Sequence, residues 1–401
     1  MLKNLRSLIC LTVAALLLFS GCQGEPSSSS EPEETVASTE QPTTEAPTTQ
    51  PVATADSANV KKYDFLAIKQ KNGEITSDFN DIVSSKKYKG VIYTKLGNDF
   101  EYISSTGASD SAKHKDNSIN TCFYVGELTQ QVTAAAVLLL NEENKLSFDD
   151  TLDKYFPNYE YGGDITVGNL LDMTSGIKSY IFYTEIRDMA AYPAIDLGEK
   201  LSEDNSYSEN KSAVLDWILR QELDFEPGTS FAISDSNYFL LGEIIAQVSG
   251  ESYEDYVRSH LLKPLAMNNT GFEVNDRLAA PYDEGEETDK LTYPGVGYAA
   301  CGMISNISDT LRWVDGIFTD GVLSEDSVKL MQDEGENGYS CGVKISNGRL
   351  SVSGRCGAYS SLLSYTPDKS EIFIALSNYN YSDPNYIHNA FRNYLARFAV
   401  N

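Results

Sequence analysis

Strand signals stand near both ends of this chain and helical periodicity fills the length between them. No other feature restricts the fold so far. Val91-Ile92-Tyr93-Thr94, a Gly97-Asn98 turn and Phe100-Glu101-Tyr102-Ile103 read as an antiparallel hairpin. Near the other end, residues 361–365, a Pro367-Asp368-Lys369 turn and residues 372–376 read as a second strand pair, its return strand buried. Ile387, Phe391, Tyr394, Leu395 and Phe398 then share one helical face. In the middle, Val132, Ala135, Ala136, Leu139 and Leu140 recur at helical spacing. Leu241, Ile244, Ile245 and Val248 do the same, with Ser249-Gly250 as a stop. Strands at both ends around a helical middle predict an α+β domain whose sheet joins the N- and C-terminal segments. Two polar stretches, 179–214 and 281–295, read as surface insertions; the second carries the acidic run Asp283-Glu284-Gly285-Glu286-Glu287.

The first residues lie outside that scheme. Lys3 and Arg6 precede an apolar run over 7–19, too short to span a bilayer comfortably as a helix. It ends in Ser20-Gly21-Cys22, and small residues before a cysteine resemble a bacterial lipobox. The expectation is a lipoprotein signal peptide over 1–21, with lipidation at Cys22 and a domain exported to the outer face of the cell membrane. Residues 22–60 are rich in Ser, Thr, Pro and Glu, with Pro26, Pro32, Pro42, Pro47 and Pro51 among them. Such a segment cannot bury enough apolar area to fold, so it reads as a disordered spacer. The folded domain is expected over 61–401.

Charge and rare residues exclude some functions. With 31 basic against 58 acidic side chains, the net charge is −27, a surface that repels phosphate backbones and argues against nucleic-acid binding. The 3 histidines, His114, His260 and His388, lie far apart without metal-ligand spacing, so no metal or other cofactor is expected. Of the 6 cysteines, Cys10 leaves with the signal and Cys22 takes the lipid. Cys122, Cys301, Cys341 and Cys356 remain, an even number compatible with two disulfides or none. Cys356 beside Arg355 is also weighed as a nucleophile, but a disulfide or an inert thiol is the favoured reading.

One long series of segments carries a resemblance. It begins with Phe123-Tyr124-Val125-Gly126-Glu127-Leu128-Thr129-Gln130-Gln131 and continues through Asn144-Lys145-Leu146-Ser147 and Lys154-Tyr155-Phe156-Pro157. Thr166-Val167-Gly168-Asn169-Leu170-Leu171, Thr174-Ser175-Gly176, Glu226-Pro227-Gly228-Thr229 and Tyr238-Phe239-Leu240-Leu241-Gly242 follow in order. Lys263-Pro264-Leu265, Cys301-Gly302-Met303-Ile304-Ser305 and Ser377-Asn378 complete it. Together these resemble the serine β-lactamase and penicillin-binding-protein-like superfamily, nearest its class C and esterase-like branch. The resemblance implies that fold: an antiparallel sheet flanked by helices, plus a mostly helical lobe.

The family's chemistry uses Ser-x-x-Lys at a helix start, Tyr-x-Asn on a loop, and Lys or His, one residue, then Gly on an edge strand. Here the equivalent positions hold Glu127 and Gln130, Ile233 and Asp235, and Arg355 and Gly357. Glutamate is a poor acyl nucleophile, glutamine accepts no proton usefully and isoleucine has none to move. The turn after Gly357 looks shortened. Ser84-x-x-Lys87 and Ser175-x-x-Lys178 repeat the first pattern elsewhere, but neither begins the helix expected under the cleft. The reading is therefore a membrane-anchored extracellular homologue without an acylation centre, binding a peptidoglycan fragment or a protein partner in its remodelled cleft. Two alternatives stand beside it. One is an active hydrolase with non-standard chemistry, such as a carboxypeptidase, esterase or β-lactamase type using Glu127 and Asp235 as an acid/base pair. The other is a structural surface protein with a filled cleft.

Overall fold

The computed structural model describes residues 62–183, 191–193, 195–283, 286–287, 293–319 and 321–400. The signal, Cys22 and spacer calls lie outside the described residues. So do Glu284 and Gly285 of the acidic run.

Nine strands position the site: β1 (Gly90–Leu96), β2 (Phe100–Thr106), β3 (Phe123–Tyr124), β4 (Ile304–Ser305), β5 (Tyr339–Ser340), β6 (Val343–Ser346), β7 (Arg349–Cys356), β8 (Tyr359–Tyr365) and β9 (Glu371–Ser377). Six helices matter with them: α1 (Asn72–Ser85), α2 (Leu128–Glu142), α3 (Asp235–Ser249), α4 (Tyr298–Cys301), α5 (Ile307–Gly316) and α6 (Pro384–Leu395). Seven strands form one antiparallel sheet in the order β5-β6-β7-β8-β9-β1-β2, and β3 pairs separately with β4. The C-terminal strand β9 lies beside the N-terminal β1, with Leu376 opposite Val91. The α+β sheet expected from the two ends is therefore the sheet that forms.

Alternation along the strands builds a core on each face. In β9, Ile372, Ile374 and Leu376 face the large cluster containing α2, α3 and α5, while Phe373 and Ala375 face α1 and α6. On that second face Phe79 of α1 stacks on Phe391 of α6 at 3.9 Å between ring centroids. Helix α2 is buried nearly all round, from Leu128 to Leu138, as its continuous apolar and small residues require. Helix α3 ends at Gly250, whose φ of 76° supplies the left-handed cap.

The stretch 179–214 is not wholly a surface excursion. Tyr180 and Val214 are fully buried, and Trp217 and Ile218 continue the buried face of the helix Tyr207–Ile218. A few large apolar groups in an otherwise polar stretch decide its placement, because each buried aromatic or aliphatic side chain removes much area from water.

Candidate functional site

The start of α2, the start of α3 and the end of β7 converge. Glu127 is the N-cap residue of α2 and is half-buried. Its neighbour Gly126 has φ 56° and brings the chain so close to β7 that an added Cβ would lie 2.2 Å from the Arg355 nitrogen. Gly354 on the other side leaves only 2.2 Å between an added Cβ and the Val125 carbonyl oxygen. Two glycines thus allow the helix start and the strand to touch through their backbones. Across that contact the Arg355 backbone N–H donates to Glu127 Oε2 at 2.6 Å. The Val125 N–H donates to the Met303 carbonyl at 2.9 Å, and Ser361 Oγ donates to the Val125 carbonyl at 2.7 Å.

One turn further along α2, Gln130 is 3% exposed and fully engaged. Its Nε2 donates to Asp235 Oδ1 at 2.9 Å, and the Tyr339 hydroxyl donates to its Oε1 at 3.2 Å. Asp235 opens α3 and is fully buried. The helix N-terminus favours its charge, and Ser179 Oγ donates to its Oδ2 at 3.1 Å. The Asp235 N–H in turn donates to Ser179 Oγ at 3.2 Å. These bonds close a polar network with partners at each end, as burial demands.

The site positions are thus brought together in two pairs, Glu127 with Arg355 and Gln130 with Asp235. Ile233 stands apart from them, 50% exposed just before α3. Gly357 has φ 57° and, with Ala358, forms the two-residue turn between Cys356 and Tyr359, a tight turn that uses the glycine's positive φ. The relocated serine motifs are scaffold. Ser84 is an exposed residue near the end of α1. Ser175 is buried and donates to Asn237 Oδ1 at 2.6 Å.

Sequence reasoning missed Ser179 and Tyr339. Both lie in polar, weakly patterned segments, and only their contacts with Asp235 and Gln130 mark them. Tyr180 is also buried here. Burial pushes its phenol well above the ordinary value, reinforced by the neighbouring sulfurs and carboxylates, and its hydroxyl donates to the Val296 carbonyl at 2.7 Å. It is a poor proton acceptor in that setting. The described cysteines Cys122, Cys301, Cys341 and Cys356 are all buried thiols. The hydrogen bond between the Cys301 and Cys356 sulfurs, with burial, holds the Cys301 thiol well above its ordinary value. It is therefore not a thiolate nucleophile.

Tyr359 packs edge-on against Tyr124, with ring centroids 5.4 Å apart. Tyr359 also lines an open cavity of about 700 Å³, together with Lys115, Asn275 and Arg277 among others.

The Beta-lactamase family model matches residues 88–397. PbpX of Bacillus subtilis (strain 168), named for the penicillin-binding proteins, is 29% identical over 280 residues, covering 68% of this chain and 66% of PbpX. Protein flp of Staphylococcus aureus (strain MRSA252) is 27% identical over 298 residues, covering 68% of this chain and 56% of flp. The chain thus spans about two thirds of PbpX and little more than half of flp. Among solved structures, a penicillin binding protein from Bacillus halodurans superposes with a TM-score of 0.67 at 22% identity, covering 79% of this chain and 99% of that one. That likeness concerns the fold.

Proposed function

We propose, from the premise that this chain belongs to the beta-lactamase family, that it is a non-acylating, ligand-binding member held at the outer face of the cell membrane by lipid on Cys22. One observation carries the loss of acylation. Glu127, at the position the resemblance assigns to the nucleophile, spends its carboxylate on the Arg355 N–H at 2.6 Å. The neighbouring Gln130, at the proton-handling position, has its amide divided between Asp235 and Tyr339. Neither side chain offers a nucleophilic oxygen paired with a proton acceptor, which acyl transfer needs. An acid/base hydrolase built on Glu127 and Asp235 is less favoured, because each carboxylate is already held by donors. Binding is preferred over a purely structural role because Tyr359, the strand partner of Cys356 next to Arg355, lines an open cavity of about 700 Å³, within the range of small-ligand sites. The ligand class is a peptidoglycan fragment or the matching segment of a protein partner.

The test is intact-mass analysis after incubation with a fluorescent penicillin and with a fluorophosphonate. The expected result is an unmodified mass with both, and a raised melting temperature with a muramyl peptide. A stoichiometric adduct on the unmodified chain overturns the reading. The anchor is checked separately: Cys22→Ala should abolish incorporation of labelled lipid and release the protein from membranes.

A further inference from the structure

Two stretches of chain, within residues 109–121 and 274–281, frame the open cavity that Tyr359 lines. Their backbones are tied together. The Cys122 N–H donates to the Arg277 carbonyl at 2.8 Å, the Ala279 N–H to the Cys122 carbonyl at 2.9 Å, and the Ala280 N–H to the Ser109 carbonyl at 2.6 Å. Each wall is also held from within. The short strand Lys115–Asp116 pairs with Ala108–Asp110, and Ser109 Oγ donates to the Asp116 carbonyl at 3.1 Å. On the other wall, Asn275 Oδ1 accepts the Arg277 N–H at 2.9 Å, and Arg277 Nη1 donates to Asn269 Oδ1 at 2.5 Å. The charged side chains facing the cavity therefore start from fixed backbone, which lowers the ordering cost of binding.

The balance of charge here departs from that of the chain. Lys113, Lys115 and Arg277 line the cavity with Asp110, Asp116 and Asp276, base for acid, whereas the whole sequence has 31 bases to 58 acids. Lys113 and Asp110 are bonded to each other at 2.6 Å. Among the described residues, the other four enter no ion pair. A ligand of one charge sign would meet two of these groups with attraction and two with repulsion, whereas a ligand carrying both signs is complementary to all four.

We propose that this cavity takes a short zwitterionic peptide, its carboxylates held by Lys115 and Arg277 and its ammonium groups by Asp116 and Asp276. The proposal rests on the reading of the cavity as a ligand site and names the chemistry of the ligand. Arg277 suits a carboxylate, because Asn269 orients its planar guanidinium. Val274, 68% exposed at the cavity wall, offers an apolar surface to a small side chain beside the charges. The step is binding alone, and no bond to the ligand is made or broken.

The experiment uses the full chain carrying Cys22→Ala and isothermal titration calorimetry. The probe is the tripeptide L-Ala-γ-D-Glu-L-Lys, which has two carboxylates and two ammonium groups. It is compared with its form acetylated on both amines, its form amidated on both carboxyls, and tri-L-alanine. The tripeptide should bind, blocking either set of charges should weaken binding about tenfold or more, and affinity should fall as salt rises. Lys115→Gln and Asp116→Asn alter exposed side chains, so each should weaken binding similarly while the free protein keeps its melting temperature. Tighter binding of the tripeptide than of tri-L-alanine assigns the ligand to peptidoglycan stem peptides, and equal binding assigns it to short peptides in general; both keep the charge assignment. Equal affinity for blocked and unblocked forms overturns the proposal and leaves the cavity a ligand site. Affinity unchanged by both variants overturns it by placing the peptide elsewhere. No tripeptide binding beside a raised melting temperature with the muramyl peptide overturns the zwitterion alone, and no response to either probe overturns the ligand-binding reading with it.

Discussion

Gly126 holds two elements in contact. Alanine there must adopt a φ of 56° and place a carbon 2.2 Å from the Arg355 nitrogen, and the opposing atom is backbone that cannot swing aside. Gly126→Ala should therefore destabilise the protein by roughly 1–3 kcal/mol or more through overpacking and strain, read as a lower urea midpoint. The pair Gln130 and Asp235 allows a cleaner measurement. Asp235→Leu removes the acceptor of the buried Gln130 Nε2 and of the half-buried Ser179 Oγ, and a stranded buried donor costs about 1–3 kcal/mol. Adding Gln130→Leu should recover part of that loss. A double-mutant cycle should give a coupling energy of about 0.5–3 kcal/mol; strict additivity would show that the bond carries no stability. At this scale the sequence was informative about which positions meet. Scaffold segments in family order located Glu127, Gln130, Asp235 and Arg355 without showing their hydrogen bonds. The sequence did not foretell that Glu127 accepts the backbone N–H of Arg355. Side-chain pattern carries no record of a backbone donor.

Among the elements, those with strong apolar alternation were legible and those without it were not. Both terminal hairpins and α6 formed where their patterns lay, because burial on two faces leaves few polar positions in β1 and β9. The β5–β6 pair escaped notice: Tyr339-Ser340 and Val343-Lys344-Ile345-Ser346 are short and half polar, below the length at which period-two alternation stands out. An ion pair bridges the sheet across β7 and β9, Arg349 with Glu371, at 10% and 8% side-chain exposure. Burial pushes Glu371 upward more than Arg349 pulls it down, so the pair is held against a desolvation cost. Glu371→Gln strands a buried guanidinium, for which about 3–5 kcal/mol of destabilisation is expected. Replacing both partners with apolar residues of similar volume should be far milder. A thermal melt of the three variants distinguishes the two outcomes.

For the molecule as a whole, His388 gives a pH signature. Burial first, then the nearby charges of Arg349 and Arg392, bring it from 6.5 down to about 3. The folded state thus binds fewer protons than the unfolded chain between those values. The contribution is complete above about pH 6.5 and is lost as pH falls toward 3. Between pH 7 and pH 5, stability should fall by on the order of 1–2 kcal/mol from this residue. His388→Leu should flatten the urea midpoint across that interval, and an unchanged slope would remove the histidine as its source. Asp150, depressed to about 2, acts at lower pH, whereas Asp172, pushed up to about 6 by burial and then by Asp333, gains its proton inside the window and opposes the histidine, so the readout is the difference between the chain and its His388→Leu variant.

The sheet order also constrains how the protein is made. β9 lies between β8 and β1, although it is the last strand of the seven-stranded sheet to be synthesised. A nascent chain can fold the β1–β2 hairpin early, but the inner edge of β1 has no neighbour until residue 371 and its successors emerge. Phe79 likewise waits for Phe391. Closing so long a loop is entropically slow. During that wait the chain exposes an unpaired strand edge and an aromatic cluster, the surface that chaperones bind and that aggregation exploits. A ribosome stalled before β9 would hold a molecule that cannot complete its sheet, however much of its sequence is already present.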